Sequence, residues 1–282
     1  MRISEKKYYV LRKIKSNVMI GICVMCLIIA VIPLISILIQ VINEGISSLN
    51  TQFITEEIQP LGDAGGGIGP AIQGTLIVVA LACLIGIPIG IFTGIYLAEY
   101  PNNIISKVAR FFHDILANMP SIVIGIFAWI MIVTVVGWSV IAGAFALGIM
   151  MLPLVTRATE EAVRMVPTTL KEASLALGVP NWKTTLTIVV PTAKKGIVTG
   201  CLLAIARVAG ETAPLLLTIL GSRFFFAGLF ETTAALPLTI YNTSQSPYVV
   251  DWAKAWGASL VLIFMVLFLN ILVRYITRDK FK

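Results

Sequence analysis

The stretch "VMIGICVMCLIIAVIPLISILIQVI", residues 18–42, is an apolar run of about 25 residues close to the N-terminus. A helix crosses the roughly 30 Å hydrocarbon core of a bilayer with about 20 apolar residues. A secretory signal peptide has an apolar core of only about 7–15 residues, followed by a small-residue cleavage site, and no Ala-x-Ala pattern follows here. The run therefore predicts a transmembrane helix that is retained, after a polar and basic tail at 1–17.

The whole composition agrees with a membrane protein. The 282 residues are 58% hydrophobic and 12% charged, with a mean hydropathy of +0.94, whereas soluble domains carry about 25% charged residues. The apolar stretch 119–155 is too long for one span, and Gly137-Trp138 supplies a turn with an interfacial tryptophan. The expected fold is all-α with six transmembrane helices. After the first helix, the further spans are predicted at 72–98, 119–136, 138–158, 196–220 and 257–276.

The distribution of basic residues predicts the orientation. The segments at 1–17, 99–118, 159–195 and the C-terminal tail, with their adjoining helix ends, hold 18 of the 21 Lys and Arg residues. The segments 43–71 and 221–256 hold only Arg223 and Lys254. Cytoplasmic loops are the ones rich in Lys and Arg, so both termini are expected in the cytoplasm. This topology accounts for the net charge of +7 better than nucleic-acid binding does.

The sequence lacks the complete motifs that nucleotide-binding and metal-binding enzymes use. The predicted outer loop 43–70 contains "GDAGGGIGP", but it has no phosphate-loop lysine, and Pro70 stands where a dinucleotide motif needs its last glycine. Cys23 and Cys26 form a Cys-x-x-Cys without a second pair, and the single histidine, His113, is distant in sequence and expected to be solvated. We expect no catalytic residue, no cofactor and no metal on this chain.

The longest predicted cytoplasmic segment, 159–195, contains a short helical pattern that ends at Gly178 and is followed by a turn at Pro180. A short helix that projects from the membrane can dock into a groove of another protein. Taken alone, however, the pattern favours an ordinary connecting helix.

The spacing of this segment resembles the EAA loop of binding-protein-dependent ABC importer permeases. That pattern is Glu-Ala-Ala, three residues, Gly, nine residues, and Ile-x-Leu-Pro. The matching residues here are Glu172, Ala173, Ser174, Gly178, Ile188, Val190 and Pro191, with Ser174 in place of the second alanine and Val190 in place of the leucine. The resemblance implies a type I (MetI-like) permease fold over 71–275, in which this loop couples the chain to a cytoplasmic ATPase.

Three further stretches resemble permeases of phosphate importers: "GIYLAEY" (94–100), "MPSIVIGIF" (119–127) and "GETAPLL" (210–216). The last of these resembles the PstA-type permease rather than its PstC-type partner. The resemblance implies a bacterial or archaeal cell membrane and three kinds of partner. These are a PstC-like second permease, a PstB-like ATPase dimer that binds the ATP and Mg, and a PstS-like extracytoplasmic phosphate-binding protein.

Arg207 and Glu211 lie inside the predicted span 196–220, where a charge costs about 2.5–3.5 kcal/mol on insertion scales. Their i,i+4 spacing puts them on one helix face, so a structural ion pair is one interpretation. Because apolar residues usually replace a buried ion pair without loss of stability, we favour an anion path, with Thr212 as a secondary donor. Gly210 and Pro214 could bend this helix, which would suit a gate.

The carboxylate offers a basis for selectivity, because HPO₄²⁻ keeps an O–H donor that Glu211 can accept, whereas sulfate has none. Two alternatives stay open from the residues. One is a permease for another oxyanion, such as molybdate or sulfate. The other is a gradient-driven secondary transporter that uses Arg207 and Glu211 as a proton relay, which predicts inverted repeats that the sequence does not reveal.

Overall fold

The computed structural model describes the backbone of residues 2–276 and the side chains of residues 8–9 and 11–275. Two π-helical turns, Trp129–Val133 and Thr185–Val189, are inserted between α-helices. Within the described residues there is no β-strand, only an isolated bridge between Leu220 and Thr233. In chain order the α-helices are α1 (Arg2–Ile46), α2 (Thr51–Thr55), α3 (Gly69–Glu99), α4 (Ile104–Asn118), α5 (Ser121–Ala128), α6 (Thr134–Val136), α7 (Val140–Arg164), α8 (Thr168–Ala176), α9 (Asn181–Thr184), α10 (Val190–Ala209), α11 (Ala213–Thr218), α12 (Leu236–Ser244) and α13 (Val249–Ile276).

Five helical stretches of the described chain are long and apolar enough to cross a membrane, namely those in α1, α3, α7, α9–α10 and α13. A sixth span results if α4 and the helical stretch Ser121–Val136 are counted as one pair, which is bent by 108°. The bend lies at Met119-Pro120, where proline keeps the preceding residue out of the α region. The all-α membrane fold is therefore confirmed, with five or six candidate spans in the described residues where six were predicted.

The bundle has two chemically different ends. One end, which we call the basic end, contains the C-terminus of α3, helix α4, and the segment from the end of α7 through α9. The opposite end, which we call the loop end, contains residues 47–68, 137–139 and 219–248.

Close contact between small residues holds α3 and α10 against α7. An added methyl group at Gly90 of α3 would lie 2.7 Å from Val155 Cβ, and one at Gly94 would lie 2.6 Å from the Thr156 carbonyl oxygen. Membrane helices approach closely where glycine and alanine line their contact, because there the backbones themselves can touch. The buried core extends from this contact to α5, α11 and α12.

The same contacts fix the depth of α10. Gly196 faces Ala162 and Gly200 faces Ala158, so each step of four residues along α10 matches four residues back along α7. Seven further residues bring Arg207 level with Met151, about 16 Å from the start of α7 at 1.5 Å per residue. Arg207 therefore lies near the middle of the bundle.

Candidate functional site

The helix that carries Arg207 is broken directly after it. α10 ends at Ala209, and its final turn is closed by hydrogen bonds from the Gly210 and Glu211 N–H groups to the Arg207 and Val208 carbonyl oxygens. α11 begins only at Ala213. The continuous helix predicted at 196–220 is therefore interrupted, because Pro214 has no N–H group and its ring would clash with the carbonyl group four residues earlier.

The charged pair spans this break without closing into a hydrogen bond. The Arg207 Nε to Glu211 Oε1 distance is 3.9 Å, and the two side chains are 60% and 20% exposed. Thr212 is partly buried at the N-cap of α11, and its side chain makes no capping hydrogen bond there. A purely structural ion pair is expected to be shorter and better enclosed, so the geometry favours a guanidinium that is available to a ligand.

Arg207 lines a cavity of about 400 Å³ between α4, α7 and α10. The polar residues of this cavity are His113, Asp114, Asn118, Arg157, Glu161 and Arg207. Glu211 and Thr212 do not line it. Arg207 therefore lines the same cavity as a second arginine, Arg157, and the three predicted path residues do not share one cavity.

His113 is not solvated as the sequence suggested. Its imidazole is only 12% exposed, with Nε2 2.9 Å from the Pro153 carbonyl oxygen and Nδ1 3.1 Å from Asp114 Oδ1. The reason is that residues 104–118 form the helix α4 and lie against α7, instead of forming a free loop. His113 thus links the two helices at the wall of the cavity.

Three ion pairs lie on the same two helices nearer to the basic end, and one of them joins α4 to α7. Glu160 accepts from Arg110 and from Arg164, each at 2.7 Å, while Arg157 Nε donates to Glu161 at 2.6 Å. In the sequence these arginines indicated only the orientation of the chain. The Arg157/Glu161 and Glu160/Arg164 spacings of four residues on an otherwise apolar helix were the signal that could have identified them.

The predicted EAA loop contains a short helix, α8, that ends at the glycine of the motif. α8 ends in a Schellman motif, in which the Gly178 N–H bonds to the Leu175 carbonyl oxygen at 2.9 Å and the Val179 N–H to the Ser174 carbonyl oxygen at 3.3 Å. Gly178 has a φ of +80°, a conformation that other residues rarely adopt. The predicted short helix that ends at this glycine is confirmed.

Two contacts anchor α8 to the rest of the bundle. Ser174 is buried, and its hydroxyl lies 2.9 Å from the hydroxyl of buried Thr184 in α9, so the serine in place of alanine gains a partner. Lys171 forms an ion pair with Glu99 at the end of α3. The loop is therefore positioned by its neighbours.

The remaining loop residues face outward. Glu172, Ala173 and Gly178 are exposed, and so is Pro191 in the first turn of α10. Apolar side chains are exposed beside them, with Leu177 at 84%. An exposed apolar surface on a fixed helix is suited to contact with another protein.

Comparisons with known proteins agree on one family. Residues 86–282 match the family profile described as "Binding-protein-dependent transport system inner membrane component". The chain is 39% identical to a phosphate transport system permease protein PstA of Yersinia pestis, over 98% of this chain and 95% of that protein. It is 37% identical to a probable PstA of Methanocaldococcus jannaschii, over 99% and 100%.

Two solved structures share the fold. The MetNI methionine ABC transporter aligns with a TM-score of 0.56 at 19% identity, over 75% of this chain and 98% of that one. A bacterial ABC transporter for alginate import aligns with a TM-score of 0.57 at 17% identity, over 74% and 79%. With a family match over most of its length and relatives of nearly equal length, the chain belongs to the family of inner membrane components of binding-protein-dependent transport systems.

Proposed function

We propose that this chain is one of the two permease chains of an ATP-driven importer of inorganic phosphate, and that it forms half of the translocation path. The near-full-length relatives that are named as phosphate transport permeases support the substrate. The observation that carries the proposal is the position of Arg207, at the middle of the bundle, beside a helix break and on a polar cavity. Irregular backbone at membrane depth is tolerated where it is buried in protein or lines a water-filled cavity.

In this proposal Arg207 supplies the charge that draws phosphate into the membrane. Glu211, 3.9 Å away, reduces the net charge at that level, so that the anion is not held too tightly to leave. Glu211 also accepts a hydrogen bond from the O–H group of HPO₄²⁻, and Thr212 donates a further hydrogen bond.

The EAA loop would couple this chain to ATP hydrolysis on a partner chain. Glu172, Ala173, Ser174 and Gly178 form or support the surface at the end of α8, and Pro191 lies further along the same segment, in the first turn of α10. The exposed apolar side chains around Leu177 would enter a groove on the ATPase subunit. ATP and Mg would bind that ATPase and not this chain.

The basic end would face the cytoplasm of a bacterial or archaeal cell, with both termini on that side. It concentrates the Lys and Arg residues, whereas the loop-end segments 43–71 and 221–256 carry two. The loop end would then meet an extracytoplasmic phosphate-binding protein, while a second permease chain completes the path.

The test is uptake of radiolabelled phosphate by the purified assembly in liposomes, with ATP enclosed. Arg207→Gln should reduce uptake by about tenfold or more, since an ionic hydrogen bond to the anion contributes about 1.5–3 kcal/mol. Lys107→Gln is the matched control, because this exposed lysine of α4 does not line the cavity.

Each alternative has its own outcome in this experiment. Uptake of molybdate or sulfate in preference to phosphate would assign the assembly to another oxyanion. Uptake by this chain alone, driven by an ion gradient without ATP, would make it a secondary transporter and refute the importer.

A further inference from the structure

A second cavity lies at the loop end, away from Arg207. It has a volume of about 730 Å³ and is lined by residues from 58–68, 220–224, α12 and the first turns of α13. Arg223 and Lys254 both line it. These are the only two basic residues of segments 43–71 and 221–256, so all the positive charge of those segments faces a single cavity.

The backbone at Arg223 is held by a hydrogen bond, whereas its side chain has no partner among the described residues. The Arg223 carbonyl oxygen accepts from the Ile58 N–H at 3.2 Å, and the chain enters this position through positive φ values at Leu220 and Gly221. Within the described part of the chain, the guanidinium has neither an ion pair nor a hydrogen bond. An exposed arginine side chain at a cavity wall, with its donors unused, is suited to a planar or tetrahedral oxyanion.

The Lys254 ammonium group has partners within the protein, and its positive charge offsets the charge of the one carboxylate that lines the cavity. Asp251 is 1% exposed, and its Oδ2 accepts from Ser246 Oγ at 2.5 Å and from the Gly62 N–H at 2.9 Å. Lys254 Nζ lies 3.8 Å from Asp251 Oδ1 and donates to the Asp63 carbonyl oxygen at 2.8 Å. The negative charge of Asp251 is thus balanced, and the charge of Arg223 remains as the surplus.

The rest of the polar wall consists of neutral donors. Hydroxyl and amide groups come from Gln59, Thr232, Asn242 and Gln245. Together with one free guanidinium, such groups can replace the hydration of a phosphate-sized anion, because each of them can donate to an anionic oxygen.

The cavity is connected along the chain to the helix break. Residues 220–223 follow α11 directly, and α11 follows the break at 210–212. The six residues of α11 span about 9 Å. An anion at Arg223 would therefore lie about the length of this helix away from Glu211, in the direction of the loop end.

We propose that the loop-end cavity is a binding site for a tetrahedral oxyanion, with Arg223 as its anchor, which holds the anion before it reaches Arg207. The identity of the anion as inorganic phosphate rests on the proposed function. An acidic side chain of a docking protein could also pair with Arg223, and the experiment separates the two.

The experiment uses the purified assembly in nanodiscs without the binding protein, and it measures how fast an uncharged maleimide labels Ser222→Cys. Mass spectrometry of the labelled peptide separates this site from the native cysteines. Inorganic phosphate at constant ionic strength should slow the labelling in a saturable way. Arg223→Gln should raise the half-protecting concentration by about tenfold or more, and Arg223→Lys should raise it less.

Glu231→Cys is the control site, because this exposed residue does not line the cavity and phosphate should leave its labelling rate unchanged. If phosphate does not change the labelling rate of Ser222→Cys, in an assembly that imports phosphate, the proposed anion site is wrong and the proposed function stands. Arg223-dependent protection by sulfate or molybdate, in an assembly that imports that anion, would support the cavity and overturn phosphate as the substrate.

Docking is separated by measuring the affinity of the phosphate-free binding protein for the same variants. If Arg223→Gln weakens that affinity but leaves phosphate protection unchanged, Arg223 is a docking residue and the proposal is wrong. If phosphate protection is lost and the docking affinity is retained, the anion site is supported.

Discussion

Replacing Gly200 by alanine tests the register that places Arg207 at mid-depth. The added methyl group would lie 2.2 Å from Ala158 Cβ, whereas ordinary contacts begin at 3.4 Å. α10 and α7 would therefore have to separate locally by about 1.2 Å, and overpacking of this kind costs about 1–3 kcal/mol. Arg207 lies two turns further along α10, so the same displacement would also shift the charged site.

The measurement is thermal unfolding of the purified assembly, together with phosphate uptake. Gly200→Ala should unfold at a lower temperature and transport more slowly. Gly21→Ala is the control, because a methyl group there meets nothing within 4 Å while the intrinsic helix propensity changes in the same way.

The reciprocal change within the same chain sharpens this test. Adding Ala158→Gly to Gly200→Ala restores one methyl group to the contact and should recover most of the lost stability, since the two sites touch and their effects are coupled. If Gly200→Ala is as stable as the parent, or if the double variant is no better than the single one, the close α7–α10 register is wrong. The depth assigned to Arg207 would then fail with it.

Three further variants address selectivity and coupling. Glu211→Gln should lower the preference for phosphate over sulfate in competitive uptake, because the amide can no longer act as a charged acceptor for the phosphate O–H; an equal loss for both anions would contradict this role. Gly178→Ala should lower the free energy of unfolding by about 1–2 kcal/mol through its positive φ alone, since nothing lies within 4 Å of the new methyl group. The variant should also reduce the amount of ATPase that is recovered on co-purification. Unchanged recovery would mean that the end of α8 does not contribute to docking. Ser174→Ala should destabilise the chain by about 1–3 kcal/mol, because the buried Thr184 hydroxyl loses its partner, and adding Thr184→Val should recover part of this in thermal unfolding; no recovery would show that the hydroxyl pair is not the cause.

The features that the sequence could predict are those set by local pattern. The long apolar stretches in α1, α3 and α13 need no tertiary information, because the thickness of the bilayer fixes their length. The end of α8 at Gly178 was equally predictable, since few residues other than glycine adopt the conformation that ends this helix.

The features that escaped prediction depend on contacts between distant residues. Apolar content cannot distinguish one helix over 196–220 from α10 followed by α11, although Pro214 contained the information that a break was available. The cavity beside Arg207 required α4 to pack on α7, which brings His113 to Pro153 across 40 residues of sequence. Arg157 looked like a topological marker only because its distance from Arg207 in the fold was unknown.

The energetics of Arg207 favour a hydrated path over a structural charge. A cation in the last turn of a helix gains about 0.3–1 kcal/mol from the helix dipole at an exposed site, and at most about 2 kcal/mol when partly buried. The insertion cost at this depth is about 2.5–3.5 kcal/mol, and Glu211 at 3.9 Å adds no hydrogen bond. The dipole therefore does not offset the cost by itself. Exposure of the side chain to a polar cavity of about 400 Å³ does reduce it, because the guanidinium then keeps much of its hydration. A charge that is tolerated because water reaches it lies where a hydrated anion can also reach it, and this physical link joins the stability of Arg207 to its proposed role in transport.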